Sequence, residues 1–284
     1  MKNKELKEVT IFFLTTIFLS LFVFWGPIAL FKVPTMGFSR GAIGPVWAII
    51  LFVIGGFAPS ITGIILTAVF EGKKQTKQLL KKAFQIRIGF KWFAAISLTA
   101  VYFVVSWSII YLALDGDFNY SKILTILPTI LPLFILGPLS EEYGWRGFAL
   151  KRLLKIVSPN IASLAIGLVW SLWHLPLFYI VGTNQYEHNL SFFTFVISVT
   201  SSSFIYTYFY IKTNQNLFTA VFFHWVYTFL SDVVHGGIVK SNLFNSLEFV
   251  PVLIIGLVFA FVLHKVQPIA NNSNVSSTIE ENVC

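Results

Sequence analysis

The chain has 284 residues, 56% of them hydrophobic and only 11% charged, with a net charge of +8 and a mean hydropathy of +0.77. Soluble domains carry about a quarter charged residues. This composition therefore excludes a water-soluble globular enzyme and a disordered chain and, with Cys284 as the only cysteine, a disulfide scaffold. What remains is an all-α, polytopic membrane protein, in which the positive charge concerns lysines beside lipid and not nucleic acid.

A helix needs about 20 apolar residues to cross a hydrocarbon layer of about 30 Å. Apolar runs bounded by charge lie at 9–31, 41–70, 92–114, 123–140, 156–186, 189–211, 213–231 and 249–264, which predicts about eight transmembrane helices. None of the runs alternates as a barrel strand does. The first run, 23 residues long, exceeds the apolar core of about 7–15 residues in a secretory signal and reads as a retained helix. Lys2, Lys4 and Lys7, seven basic residues between Lys73 and Lys91, Arg146, Lys151, Arg152, Lys155, Lys212 and Lys265 fall on one side of the layer, sixteen in all. Only Lys32, Arg40, Lys122 and Lys240 fall on the other. The positive-inside bias makes the sixteen cytoplasmic, and both termini with them.

Residues 1–122 read as three helices with a basic cytoplasmic loop, whose stretch 72–91 interleaves lysine with leucine and phenylalanine and suits anionic lipid. Residues 123–266 hold the chemistry, and the polar, aromatic-free residues 267–284 read as a disordered tail. The absence of an internal repeat argues against transporters built from inverted halves.

Ionisable groups at membrane depth cost about 2.5–3.5 kcal/mol each, so they mark a functional interior. Here they are Glu141, Glu142, His174 and His224, with Asp232 and His235 nearer an edge, while nothing similar occurs in the first three spans. In a helix Glu142 and Arg146 are one turn apart and pair, whereas Glu141 points about 100° away and keeps an environment of its own. Two adjacent carboxylates in different surroundings suit general base catalysis. Lys151, Arg152 and Lys155 mark the cytoplasmic end of the fourth span, which then runs from about 131 to 153. On that basis Glu141 lies about 15 Å deep, His174 about 22 Å and His224 about 15 Å, at 1.5 Å per residue. Trp170, one turn before His174, can wall the imidazole, and Pro176 loosens the helix just beyond. Thr228 and Asp232 follow His224 along one stripe.

Glu141-Glu142-x-x-x-Arg146, Trp170-x-x-x-His174 and His224-x-x-x-Thr228 together resemble the three motifs of the CPBP family of intramembrane proteases, EExxxR, FxxxH and HxxxN or HxxxD. That family includes the CAAX-processing endoproteases of the Rce1 type and the bacterial Abi, or bacteriocin-immunity, proteins. The resemblance covers about residues 125–235 and implies an eight-helix fold. Trp170 stands where the family usually has Phe and keeps an aromatic wall. Thr228 stands where it has Asn or Asp, and its hydroxyl is shorter and lacks an amide NH₂; Asp232 could substitute from a turn away.

The resemblance implies endopeptidase activity on a membrane-associated protein or leader peptide, in a cavity opening to the cytoplasm of a bacterial plasma membrane. Glu141 would take a proton from water that His174 positions, and His224 with Thr228 would stabilise the oxyanion. Glu142 and Arg146 would orient Glu141. Two versions stay open: a metal-independent glutamate mechanism, which the absence of HExxH favours, and a Zn²⁺ site of Glu141, His174 and His224. The alternative from another class is a non-catalytic bacteriocin-immunity or transport protein that uses the same polar cluster for binding.

Overall fold

The computed structural model describes residues 2–35, 44–114, 128, 130–237 and 242–266. The polar tail 267–284 and the side chain of His235 lie outside the described residues. The described chain is helical throughout. Its helices are α1 (Lys2–Leu30), α2 (Val46–Glu71), α3 (Lys73–Lys82) and α4 (Phe90–Ala113), then α5 (residues 130–153) and α6 (Pro159–Trp173). They continue with α7 (Phe192–Lys212), α8 (Leu217–Gly237) and α9 (Phe249–His264). Short turns of helix lie at Leu175–Tyr179, Asn184–Glu187 and Asn242–Leu247.

Among the described residues six helices are long and apolar enough to cross a membrane: α1, α2, α4, α6 continued to Tyr179, α7, and α9 extended back to Leu243. Their outward faces carry large exposed apolar side chains, among them Leu14, Val69, Leu98, Leu112, Phe193 and Phe261. Water would penalise such a surface and lipid does not, so the protein is a multi-pass membrane protein. Of the two other expected spans, α5 carries Glu141, Glu142, Arg146, Lys151 and Arg152, and the apolar part of α8, Leu217–Val233, is shorter. The two helices least suited to lipid by composition therefore bear two of the three motifs, and α6 bears the third.

α5 is central, packed by α1, α2, α3, α6, α7 and α8. Its backbone is not a regular α-helix: residues 135–139 and 143–150 are π-helical, on either side of Ser140–Glu142. Pro138, which has no N–H and crowds the preceding turn, accounts for the first departure. Side chains take up the carbonyls left over. Ser60 Oγ donates to Leu139 O at 3.0 Å, and Ser140 Oγ donates to Leu136 O and Gly137 O at 2.8 and 2.7 Å.

The irregularities of α2 are the seat for α5. Ala58, Pro59, Ser60, Thr62 and Gly63 form its buried stripe, and a Cβ on Gly63 would stand 2.7 Å from Gly144 Cα. Small residues let two backbones approach this closely within a membrane.

At the basic end the buried Arg152 guanidinium bonds Glu8 at 2.7 Å and Glu71 at 2.5 Å, and Lys155 bonds Glu5 at 2.6 Å. These pairs pin α5 to α1 and α2. They also explain why α1 begins at Lys2, seven residues before the expected apolar run: its first two turns supply the counter-charges. Elsewhere α7 packs along α6 on one side and α9 on the other. Ser158 Oγ caps α6 by accepting from Ile161 N, with Pro159 at the first helical position.

Gly63→Ala forces a methyl group onto the α5 backbone and is expected to lower the thermal midpoint in detergent, by an overpacking cost of about 1–3 kcal/mol. Gly56→Ala, whose methyl group would meet nothing nearer than Trp25 at 3.9 Å, is expected to leave the midpoint unchanged or raise it. Equal midpoints for the two variants would contradict the close crossing.

Candidate active site

Glu142 and Arg146 are 0% and 1% exposed, and the pairing expected from their spacing forms, with Arg146 Nη1 donating to Glu142 Oε1 at 2.8 Å. That oxygen also accepts from His224 Nδ1 at 2.8 Å, a contact from α8 that no local spacing announces. The guanidinium lies 3.8 Å from the ring centre of Tyr206 and 4.5 Å from that of Trp170, so aromatic faces supply what water would otherwise give it. One buried carboxylate thus holds a guanidinium and an imidazole delivered by two helices.

Glu141 points elsewhere, as its 100° offset requires. Its Oε2 accepts from Trp170 Nε1 at 2.5 Å, while the backbone carbonyl of Trp170 receives His174 Nδ1 at 2.9 Å. The Trp170 ring centre lies 5.5 Å from that of His224 and 6.1 Å from that of His174. The three groups expected at matched depth therefore gather round a single indole. His174 is the residue at which α6 ends, ahead of the 3₁₀ turn containing Pro176, and Trp173 and Phe195 pack edge-on to its ring at 4.4 and 5.2 Å.

Each imidazole faces an oxygen acceptor at Nδ1, so Nδ1–H is the donor in both. Nε2 is left as an acceptor in the neutral ring and a second donor in the imidazolium. Glu141, Trp170, His174, His224 and Thr228 line one cavity of about 280 Å³. Thr228, half-buried one turn beyond His224, and Asp232, a turn further on, both belong to its wall. An opening at the basic end was expected. The cavity instead runs the other way, to Asn184, His188 and Glu248, because bulky side chains fill the bundle between Glu141 and Lys151.

Among the described residues no three His, Cys, Asp or Glu side chains are gathered as a metal-holding group. The Glu141 carboxylate is turned to the Trp170 indole, and both imidazoles have Nδ1 engaged by other partners. Among the described residues Nε2 of both rings and Oε1 of Glu141 are left free, and a histidine whose Nδ1–H is held by an oxygen acceptor is in the state that binds a metal through Nε2.

Tyr206 was missed by sequence reasoning. It is buried, packs against Arg146, lines the cavity, and its hydroxyl has no hydrogen-bond partner among the described residues. The signal available was Ser201-Ser202-Ser203 in an otherwise apolar span, a polar stripe that turns α7 inward.

Residues 123–230 match the family described as type II CAAX prenyl endopeptidase Rce1-like. Over these residues the chain is similar to that family. A curated relative, CAAX prenyl protease 2 of Methanococcus maripaludis, is 28% identical over 189 residues, covering 61% of this chain and 68% of the relative. Glu141, Glu142, Arg146, Trp170, His174, His224 and Thr228 all fall inside the matched residues. This Rce1-like, membrane-embedded peptidase part of the chain supplies most of the cavity wall, with Trp107, Ser231, Asp232, Glu248 and Val252 lying outside it.

Arg146→Met strands the Glu142 carboxylate in the core. Breaking a buried pair costs about 3–5 kcal/mol, so the variant is expected to unfold well below the parent on heating in detergent. Adding Glu142→Gln removes the stranded charge and is expected to recover part of the loss. A double variant less stable than Arg146→Met alone would show that the pair is not coupled.

Proposed function

We propose that this protein is an endopeptidase that hydrolyses a peptide bond of a membrane-associated protein or peptide with water activated by Glu141. The observation that supports this most is the separation of the two adjacent carboxylates: Glu142 is committed to Arg146 and His224, while Glu141 faces the cavity with a single indole donor.

Glu141 takes a proton from a water molecule that His174 Nε2 holds as acceptor. The oxygen attacks the scissile carbonyl carbon, and the resulting oxyanion takes hydrogen bonds from His224 and Thr228, each such donor being worth about 3–4 kcal/mol. Collapse breaks the C–N bond, and the proton on Glu141 passes to the leaving amine. Two carboxylates and one guanidinium leave the buried set one negative charge in excess. A doubly protonated His224 neutralises it and presents Nε2–H to the oxyanion, with Glu142 behind it. Trp170, Glu142 and Arg146 are positioning residues: they hold Glu141 and His224 and touch no reacting atom.

In the reading we favour, α5 and α8 join the six apolar helices as spans, making eight, and both termini are cytoplasmic. The sixteen-to-four distribution of Lys and Arg supports this orientation in a bacterial plasma membrane. Residues 1–122 serve as the seat and residues 123–266 as the catalytic core, a division supported by a family match that begins at residue 123. Prenylated cysteine peptides, the substrate class in the relative's name, and leader peptides are the two candidates to test.

The test uses purified protein in detergent with quenched peptides of both kinds. Glu141→Gln is expected to reduce turnover at least 10³-fold without lowering the thermal midpoint. Trp170→Phe keeps the ring but loses the hydrogen bond to a charged group, about 1.5–3 kcal/mol, and is expected to lower kcat about 10- to 100-fold with KM nearly unchanged. Full turnover by Glu141→Gln would overturn the assignment.

A further inference from the structure

A second, smaller cavity lies at the basic end of the bundle, apart from the one that holds Glu141. It measures about 40 Å³, room for about three water-sized groups. It opens where α3 meets α2, α5 and the ends of α7 and α8, and Thr67, Gln75, Gln78, Lys82, Lys151 and Tyr210 are among its lining. α3 is fixed in place beside it. Tyr143 Oη donates to Leu80 O at 3.0 Å, and Leu79 packs so closely on α5 that a Cβ on Gly147 would stand 2.7 Å from its Cδ1.

The charges around this cavity do not balance. Glu5, Glu8 and Glu71 are shared among Lys4, Lys151, Arg152 and Lys155. Glu71 also borders the cavity, but Lys151 takes both of its oxygens and Arg152 one of them again. Among the described residues the half-buried Lys82 is therefore left with no carboxylate at ion-pair distance. Burial, and the Lys151 charge beside it, hold its amine below the usual lysine range. The rest of α3 enlarges the deficit. Five of its ten residues are lysine and none is acidic, and Lys73 and Lys74 occupy a first turn where the helix dipole favours negative charge.

Fully exposed lysines on such a helix find their counter-ions in solvent, whereas Lys82 faces an enclosed space. The missing anion must fit that space and accept from ammonium groups and glutamine amides, which is the chemistry of phosphate oxygens. The surroundings point to its source. Leu80, Phe84, Ile86 and Phe90, on α3 and just after it, are large apolar side chains left exposed. Phosphate free in water gains nothing from them, while the acyl chains of a phospholipid would cover them.

We propose that this cavity seats the phosphate of an anionic phospholipid headgroup, held by Lys82 and Lys151 with Gln75 and Gln78, its acyl chains passing Leu80 and Phe84. The seat gives one defined place to the general attraction of this stretch for anionic lipid, and it does not depend on the peptidase reading.

The test uses the full chain in neutral detergent with a fluorescent phosphatidylglycerol as probe. A lysine beside an anionic lipid surface contributes a factor of about five in affinity. Lys82→Gln is expected to weaken binding by that factor, and Lys82→Arg to retain it. Lys77→Gln removes the same charge from the same helix outside the cavity and is expected to leave binding unchanged. Unlabelled phosphatidylglycerol is expected to displace the probe, and phosphatidylcholine or inorganic phosphate at equal concentration is not. Because Lys82 has no carboxylate to lose, its variants are expected to keep the parent's thermal midpoint, so the comparison reads binding and not unfolding. Equal weakening by Lys82→Gln and Lys77→Gln would mean diffuse attraction to a basic surface and overturns the seat. Displacement by inorganic phosphate as readily as by phosphatidylglycerol overturns the lipid as its occupant, and binding that does not saturate overturns both.

Discussion

Glu142 Oε1 is the atom on which the site depends. It accepts from Arg146 on its own helix and from His224 on α8, and it is wholly buried. A carboxylate so placed is tolerable only because two donors compensate for its lost hydration. The geometry of those donors then governs the rest. Arg146 packs against the rings of both Trp170 and Tyr206, which holds the Trp170 ring, and that residue places its indole N–H on Glu141 and its backbone carbonyl on His174. Elements α5, α6, α7 and α8 are thereby tied by one chain of polar and aromatic contacts.

That chain explains the composition of α5 and α8 and the irregular backbone of α5. A regular apolar helix would cross lipid without help but could carry no such cluster. Here α5 and α8 take their polar residues inside, and α2 offers α5 a stripe without bulk, where Gly63 meets Gly144. The π-helical turns on either side of Ser140–Glu142 leave backbone carbonyls unmatched, and Ser60 and Ser140 satisfy them. π-turns inside α-helices are frequent at functional sites, and this one sits where two adjacent glutamates must face different partners.

The apolar runs and the pairing of Glu142 with Arg146 were legible in the sequence because both depend on local spacing. The meeting of Glu141, His174 and His224 at one cavity was legible for the same reason: rise per residue is a property of the helix alone. The His224–Glu142 contact was not, because it requires knowing how α8 is rotated against α5. Nor was the role of Trp170, read as a wall when its N–H and its carbonyl do as much as its ring. The direction of the cavity was misjudged for a related reason. Counting residues from a charged end gives depth, but whether the path from that end is filled depends on Trp145, Phe148, Phe209 and Phe223, side chains that look like any others in an apolar span.

The threonine at 228 takes a different weight in this setting. A hydroxyl in place of an amide loses reach and one donor, a serious loss if it were the chief support for an oxyanion. The surrounding wall is richer than the motif alone implies. Tyr206 adds its ring to the cavity wall, and His224 is held at Nδ1 by the Glu142 carboxylate. Trp170 stands where a phenylalanine would offer no N–H. The two departures from the family's motifs thus fall on opposite sides of the same cavity, one weakening the support beside His224 and the other adding a hydrogen bond to Glu141. In a buried set whose charges must balance, tighter placement of the base is a physically reasonable counterweight to a shorter donor.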